Sequence, residues 1–339
     1  MKDLEQLLFR LCEAPGTPGA ESPAAKAAAA ELADMAKVKI DRMGNVLAEF
    51  GDPDAAEHVL LDAHLDQIGL IVTDIDEQGF LKVARCGGTD ARVLPGSAVT
   101  VYGRETLCGV VCSTPPHLQE GGEDKVPAVD KMAVDVGLSY DEAKKLVQPG
   151  DRILFRTGPK RLLGTRVSAA GLDNRASVAA LCRCAQILNG EKLRCRVTVQ
   201  LSVQEETGGA GAKTGTYSTE PTQAIVVDVS FALQPGIPDV NLGRLGGGPM
   251  IGISPVLNRN ITDKLISLAE EKKMPWTREI MGSRTGTNSD GVATTGRGVP
   301  TGLVSVPLRY MHTPAEVVDL TDIENTAQLL AAYLREVGR

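Results

Sequence analysis

With 339 residues, the chain is long enough for one large or two ordinary domains. Its 36 basic and 43 acidic residues leave a net charge of −7, and it holds only 5 Phe, 5 Tyr and 1 Trp. That balance argues against nucleic acid as the natural partner, because phosphate binding relies on clustered Lys and Arg and base stacking on aromatic platforms.

The first segment places Leu4, Leu7, Leu8 and Leu11 at helical spacing with charges between them. This predicts an amphipathic surface helix rather than a signal peptide, which needs a continuous apolar stretch. A Pro/Gly loop over 15–19 leads to an Ala-rich helix over 22–37, with Pro23 in its first turn. Residues 37–50 alternate as two strands joined by a turn, and 58–63 form a continuous apolar core strand. From Gly69 the texture changes to short β-rich runs at 70–73, 80–84, 98–102, 107–112, 132–136 and 152–155, with one helix over 141–147. This spacing predicts a small antiparallel barrel or sandwich. Helix–strand alternation then resumes, with helices over 176–188, 262–273 and 320–337 and strands over 195–204, 224–229 and 302–306. The fold class is therefore α/β, a body interrupted by a β-rich insert. No apolar run approaches the roughly 18 residues of a membrane span. The seven cysteines contain no Cys-x-x-Cys and read as buried free thiols of a reducing compartment. The expectation is a soluble, cytoplasmic protein with neither nucleic-acid nor membrane partners.

Only four histidines are present, His58, His64, His117 and His312, so any imidazole ligand to a metal is one of these. Five places carry acidic residues or histidines where strands are expected to end, which is where open α/β sheets collect ligands. They are His64-Leu65-Asp66, Gly171-Leu172-Asp173-Asn174-Arg175, Gln204-Glu205-Glu206-Thr207-Gly208-Gly209, Val226-Val227-Asp228 and Tyr310-Met311-His312-Thr313-Pro314. Each has an ordinary structural reading: a polar strand terminus, a helix N-cap, an acidic turn, a hydrogen-bonded buried Asp or a structural His. Jointly, five strand ends of one sheet would bring His64, Asp173, Glu206, Asp228 and His312 together, with Asp66 and Glu205 beside them. Imidazole plus carboxylate suits zinc, cobalt or manganese. Three carboxylates and a hydroxide match the charge of two divalent cations.

The order of these motifs resembles the tetrahedral aminopeptidase family, dinuclear metallopeptidases that include glutamyl and deblocking aminopeptidases and relatives labelled endoglucanase. The resemblance runs from Glu13-Ala14-Pro15-Gly16 to Val317-Val318-Asp319-Leu320 and includes Pro115-Pro116-His117-Leu118. It implies a three-layer αβα metallopeptidase body of the phosphorylase/hydrolase-like type, formed by 1–69 and 163–339. A PDZ-like β-barrel over 70–162 would be inserted as an oligomerisation domain. It further implies two metals, zinc or cobalt with manganese acceptable, bridged by Asp173. One ion would add His64 and Asp228 and the other Glu206 and His312. Asp66 would orient His64, Glu205 would be general base to a bridging hydroxide, and the peptide after Asp173 would be cis. The activity implied is removal of N-terminal residues from peptides, by a dimer-based assembly that can close into a twelve-subunit tetrahedron. The chain departs from the family pattern at Gln67, at Thr207–Gly211 and at Gly286–Asp290, where Arg284 and Asn288 are candidate pocket residues. The alternatives are a glycosidase, which needs two carboxylates roughly 5 to 9.5 Å apart across a sugar and finds Glu205 and Glu206 adjacent, and a non-catalytic shell protein.

Overall fold

The computed structural model describes residues 1–115, 118, 126–238 and 242–338; His117 lies outside the described residues. The chain opens with α1 (Lys2–Glu13) and α2 (Ser22–Leu32), then β1 (Lys37–Ile40), β2 (Val46–Gly51) and β3 (His58–His64). Strands β4 (Gly69–Ile75), β5 (Leu81–Cys86), β6 (Ala98–Tyr102), β7 (Thr106–Val111), β8 (Ala133–Asp135) and β9 (Arg152–Phe155) close a barrel in the order β4-β5-β8-β7-β6-β9. Helix α3 (Tyr140–Leu146) precedes β9, started by a reciprocal Ser139–Glu142 capping box. The barrel has its own apolar core, built from residues such as Leu70, Leu81, Val101 and Ile153. The first and last barrel strands are neighbours, with Leu70 paired to Ile153.

The chain re-enters the body through β10 (Lys160–Arg161) and β11 (Arg166–Ala169), followed by α4 (Leu172–Leu188) and β12 (Arg196–Ser202). Then come α5 (Ala210–Thr219), β13 (Gln223–Phe231), β14 (Met250–Ile253), α6 (Arg259–Glu271) and β15 (Thr277–Ile280). The chain ends with α7 (Ser289–Ala293), β16 (Thr301–Leu308), β17 (Glu316–Asp319) and α8 (Leu320–Glu336). The large mixed sheet has the order β1-β2-β12-β3-β13-β16-β14-β15, with β12, β3, β13 and β16 parallel at its centre.

Period-two alternation assigns the two faces. Val59, Leu61 and Ala63 of β3 pack into the core shared with α1, α4, α6 and α8, while Leu60 faces the smaller core lined by Ala212 of α5 and Val292 of α7. The body is thus three layers. Leu7, Leu8 and Leu11 of α1 are fully buried, and each such side chain contributes about 1.5–3 kcal/mol.

The expected α/β body with its barrel insert is present, and six of the β-rich runs read from the sequence are the six barrel strands. Two placements differ. Asp173 follows β11, which belongs to a separate three-stranded sheet β10-β11-β17, and Asp228 lies inside β13 rather than at its end. The site therefore sits where two sheets meet, not along one row of strand ends. All seven cysteines are free, and four are buried, but Cys108 is exposed. No helix among the described residues is long and apolar enough to cross a membrane.

Candidate metal centre

His64, the last residue of β3, is buried, and its Nδ1 lies 2.9 Å from the backbone carbonyl of Asp66. A carbonyl only accepts, so Nδ1 carries the proton and Nε2 points its lone pair into the cluster. Nε2 is 3.1 Å from Asp173 Oδ1 and 3.7 Å from Asp228 Oδ1. On the other side, His312 Nε2 is 3.3 Å from Asp173 Oδ2 and 3.4 Å from Glu206 Oε1. The two oxygens of Asp173 thus face different histidines. His64, Asp173 and Asp228 form one group, and Asp173, Glu206 and His312 a second, with ligand atoms of each within 4.8 Å of one another. The Asp173–Asn174 peptide is cis. Asp173 makes no helix cap, since Gly171 occupies the N-cap of α4.

Asp66, expected to orient His64, meets it through its backbone carbonyl. Its Oδ1 accepts the Glu205 N–H and its Oδ2 the Glu206 N–H, each at 3.0 Å, while Oδ1 stands 3.6 Å from His64 Nδ1. The backbone carbonyl of Asp66 thus accepts from His64, while its carboxylate is bonded to the single 3₁₀ turn Glu205–Thr207. That turn follows Gln204, a non-glycine residue at φ 61°.

Glu316 was not singled out by the motif reading. Wholly buried on β17, it accepts the Asp173 N–H at 3.1 Å with Oε2 and the His312 N–H at 2.9 Å with Oε1. One carboxylate thereby ties together the backbones of two candidate ligands, one of them (His312) at φ 63°. The signal was present four residues after His312, in Tyr-x-His-x-Pro-x-Glu.

The barrel also reaches this centre. Past β5, the Gly88 carbonyl lies 3.1 Å from His312 Nδ1, and a Cβ on Gly88 would stand 2.6 Å from the same nitrogen. Only glycine fits there.

The charges explain what the cluster requires. Burial pushes Asp228 well above the ordinary carboxylate range, and Glu205 and Asp173 add to the shift. Burial raises Glu205 to about 7, reinforced by the charges of Glu206, Asp173 and Asp66. Burial also opposes ionisation of Asp173, but His312 and His64 overcome it and hold that carboxyl below the usual range. Contact with Asp173 and Glu206 raises His312 to about 11. Glu206 Oε1 is buried and, apart from the His312 Nε2 contact at 3.4 Å, has no hydrogen-bond partner, and burial of such an acceptor is costly unless positive charge meets it. Carboxylates and imidazoles converging in two groups fit divalent metal ions.

The cluster lies in a cavity of about 620 Å³ whose further walls include Val229, Phe231, Met281, Thr285 and Thr287. Arg284 and Asn288, the expected pocket residues, do not line it. Asn288 instead turns inward and donates to Asp62 Oδ2 and Ser202 Oγ, both at 2.9 Å. His58 is buried, with Nε2 2.8 Å from Thr198 Oγ1, and takes no part in the site.

Residues 44–329 match the M42 glutamyl aminopeptidase family. The chain belongs to this family. It is 32% identical over 342 residues to a lysyl aminopeptidase of Pyrococcus furiosus, covering 98% of this chain and 97% of that protein. Among solved structures it is similar to an aminopeptidase from the archaeon Desulfurococcus kamchatkensis, with 31% identity, a TM-score of 0.93 and coverage of 99% and 95%. It is likewise similar to the TET1 peptidase of Pyrococcus horikoshii, described as assembling into a tetrahedron or a large octahedral shell, with 32% identity, a TM-score of 0.87 and coverage of 98% and 100%. The M42 chain is thus a metal-dependent aminopeptidase, a hydrolase rather than a glycosidase or an inert shell protein.

Proposed function

We propose that this M42 aminopeptidase removes single N-terminal residues from peptides using two divalent cations, zinc or cobalt with manganese an acceptable third. The observation that carries the reading is the shared carboxylate: Asp173 presents Oδ1 toward His64 and Oδ2 toward His312. His64 and Asp228 would complete one position, and Glu206 and His312 the other. Cations held there supply Lewis acidity and lower the pKa of water to near neutrality.

The chain's own groups then handle orientation and protons. Glu205, on the cavity wall, takes the proton of the attacking water and returns it to the departing amine nitrogen. Asp66 keeps Glu205 aimed by holding the backbone of its turn. The substrate is a peptide with a free amino terminus.

By the same reading, 70–162 is the inserted oligomerisation domain between the two parts of the body, 1–69 and 163–339. The chain works as a cytoplasmic homo-oligomer, dimer-based and able to close into a dodecamer.

The Glu205→Gln and Asp173→Asn variants test the assignment together. Glu205→Gln should retain both metals while losing at least about a hundredfold in turnover. Asp173→Asn should empty both positions, as read by elemental analysis after gel filtration. Near-normal hydrolysis by Glu205→Gln would remove Glu205 from the role, and retention of one full equivalent by Asp173→Asn would remove the bridge.

A further inference from the structure

The cavity that holds the candidate metal ligands contains one more carboxylate, Glu279 of edge strand β15, outside both ligand groups. Its register partner on the neighbouring strand β14 is Gly252. Glu279 Oε2 accepts the Ser305 hydroxyl at 2.6 Å, and the Ser230 hydroxyl is also bonded to this carboxylate. Ser305 is the register partner of Asp228 on β16, and Ser230 lies two residues beyond Asp228 on the same face of β13. Glu279 is therefore fixed in the cavity lining beside the candidate metal-ligand cluster, buried and held by two hydroxyls.

A carboxylate offers about four lone-pair directions, so two serine bonds leave acceptor capacity over. The lining of the cavity includes the apolar Val229, Phe231, Ile280 and Met281 as well as Thr285 and Thr287. None of the described lining residues is Lys or Arg. A cavity with apolar lining and a buried anionic acceptor complements a side chain with a methylene stem and a cationic tip. An acidic side chain would meet like charge at Glu279.

We propose that this cavity selects peptides with a basic N-terminal residue, lysine or arginine, and that Glu279 is the specificity-determining residue that receives the cationic tip. The assignment rests on the aminopeptidase reading above and names the substrate class of that same site. Burial pushes the Glu279 carboxyl up while the two serines pull it back, and a cation beside it favours the anion.

The test is a panel of Lys-, Arg-, Leu- and Glu-p-nitroanilides with enzyme loaded with zinc or cobalt. Lys and Arg should be preferred, with kcat/KM at least about tenfold above Glu. Glu279→Gln, which retains the size of the side chain and an acceptor for a serine, should lower the Lys-to-Leu ratio of kcat/KM by about tenfold or more. Glu279→Asp, which keeps the charge, should restore part of that ratio. Best hydrolysis of Leu or Glu by the unmodified enzyme overturns the proposal. So does an equal loss on all four substrates in Glu279→Gln, which would make Glu279 a holder of the α-amine or of the fold. Should Glu279→Gln fail to fold by circular dichroism, the wild-type ranking and the Glu279→Asp ratio decide. Cleavage of none of the four overturns the aminopeptidase reading itself, and this assignment with it.

Discussion

Glu316 shows how one side chain can govern several others. Its two oxygens are both occupied by backbone N–H groups of candidate ligands. A glutamine there keeps one acceptor and turns an NH₂ toward the other N–H, which repels it. Glu316→Gln should therefore weaken metal binding by about ten- to a hundredfold, measured by competition with a chromogenic chelator. An unchanged affinity would show that Asp173 and His312 are held without it. His58 makes a separate prediction. Burial, with Arg196 nearby, depresses it from 6.5 to about 4. The unfolded chain therefore binds a proton that the folded one refuses. Stability from this site is complete above pH about 6.5 and is lost as pH falls toward 4, at up to about 1.4 kcal/mol per unit. Denaturant unfolding at several pH values should show a flatter acid limb in His58→Gln; an identical slope would dismiss the effect. Period-two spacing in the sequence exposed His64 and Asp66 as a pair. It could not reveal that the carboxylate of Asp66 turns to the Glu205 and Glu206 amides, because that depends on a turn contributed from far along the chain.

Elements were legible where apolar alternation was regular and turns were marked by Gly, Pro or Asp, as in β6 and β9, whose bounds match the sequence reading. They were not legible where composition opposed the structure. Helix α5, AGAKTGTYST, is rich in Gly and Thr and is held mainly by Ala212 against the sheet. Strand β15, Thr-Arg-Glu-Ile, places charges on the sheet edge, so its buried Glu279 gave no strand signal. Short β17 begins and ends with acids, which hid Glu316 in the same way. The barrel's contact with the centre was equally invisible, since it depends on a loop backbone. Gly88→Ala should push His312 from its carbonyl partner and lower metal affinity about tenfold or more. Titration calorimetry with zinc, alongside an unchanged far-UV spectrum, checks this. Wild-type affinity would make the barrel a bystander to the chemistry.

For the whole molecule, the alternation of helices and strands sufficed to separate body from insert, because the two have different periodicities and separate cores. The meeting of two sheets at the centre was beyond it, as sheet membership is decided by pairings such as Val167 with Val318 that no local pattern announces. Self-association gives the prediction at this scale. Multi-angle light scattering should find an assembly well above the 35.8 kDa protomer, up to on the order of twelve times that mass. A single monomeric species at micromolar concentration would set the assembly aside. The adjacency of β4 and β9 bears on how such a chain folds. Closing a loop costs entropy that grows with the logarithm of its length, and a long insert between Gln67 and Arg166 would ordinarily hold those ends apart. Once the barrel has closed, its first and last strands are hydrogen-bonded side by side, so the body meets the entire insert as a short, stiff link. Helix α4, which packs on β3, can then reach it almost as if the intervening residues were a tight turn.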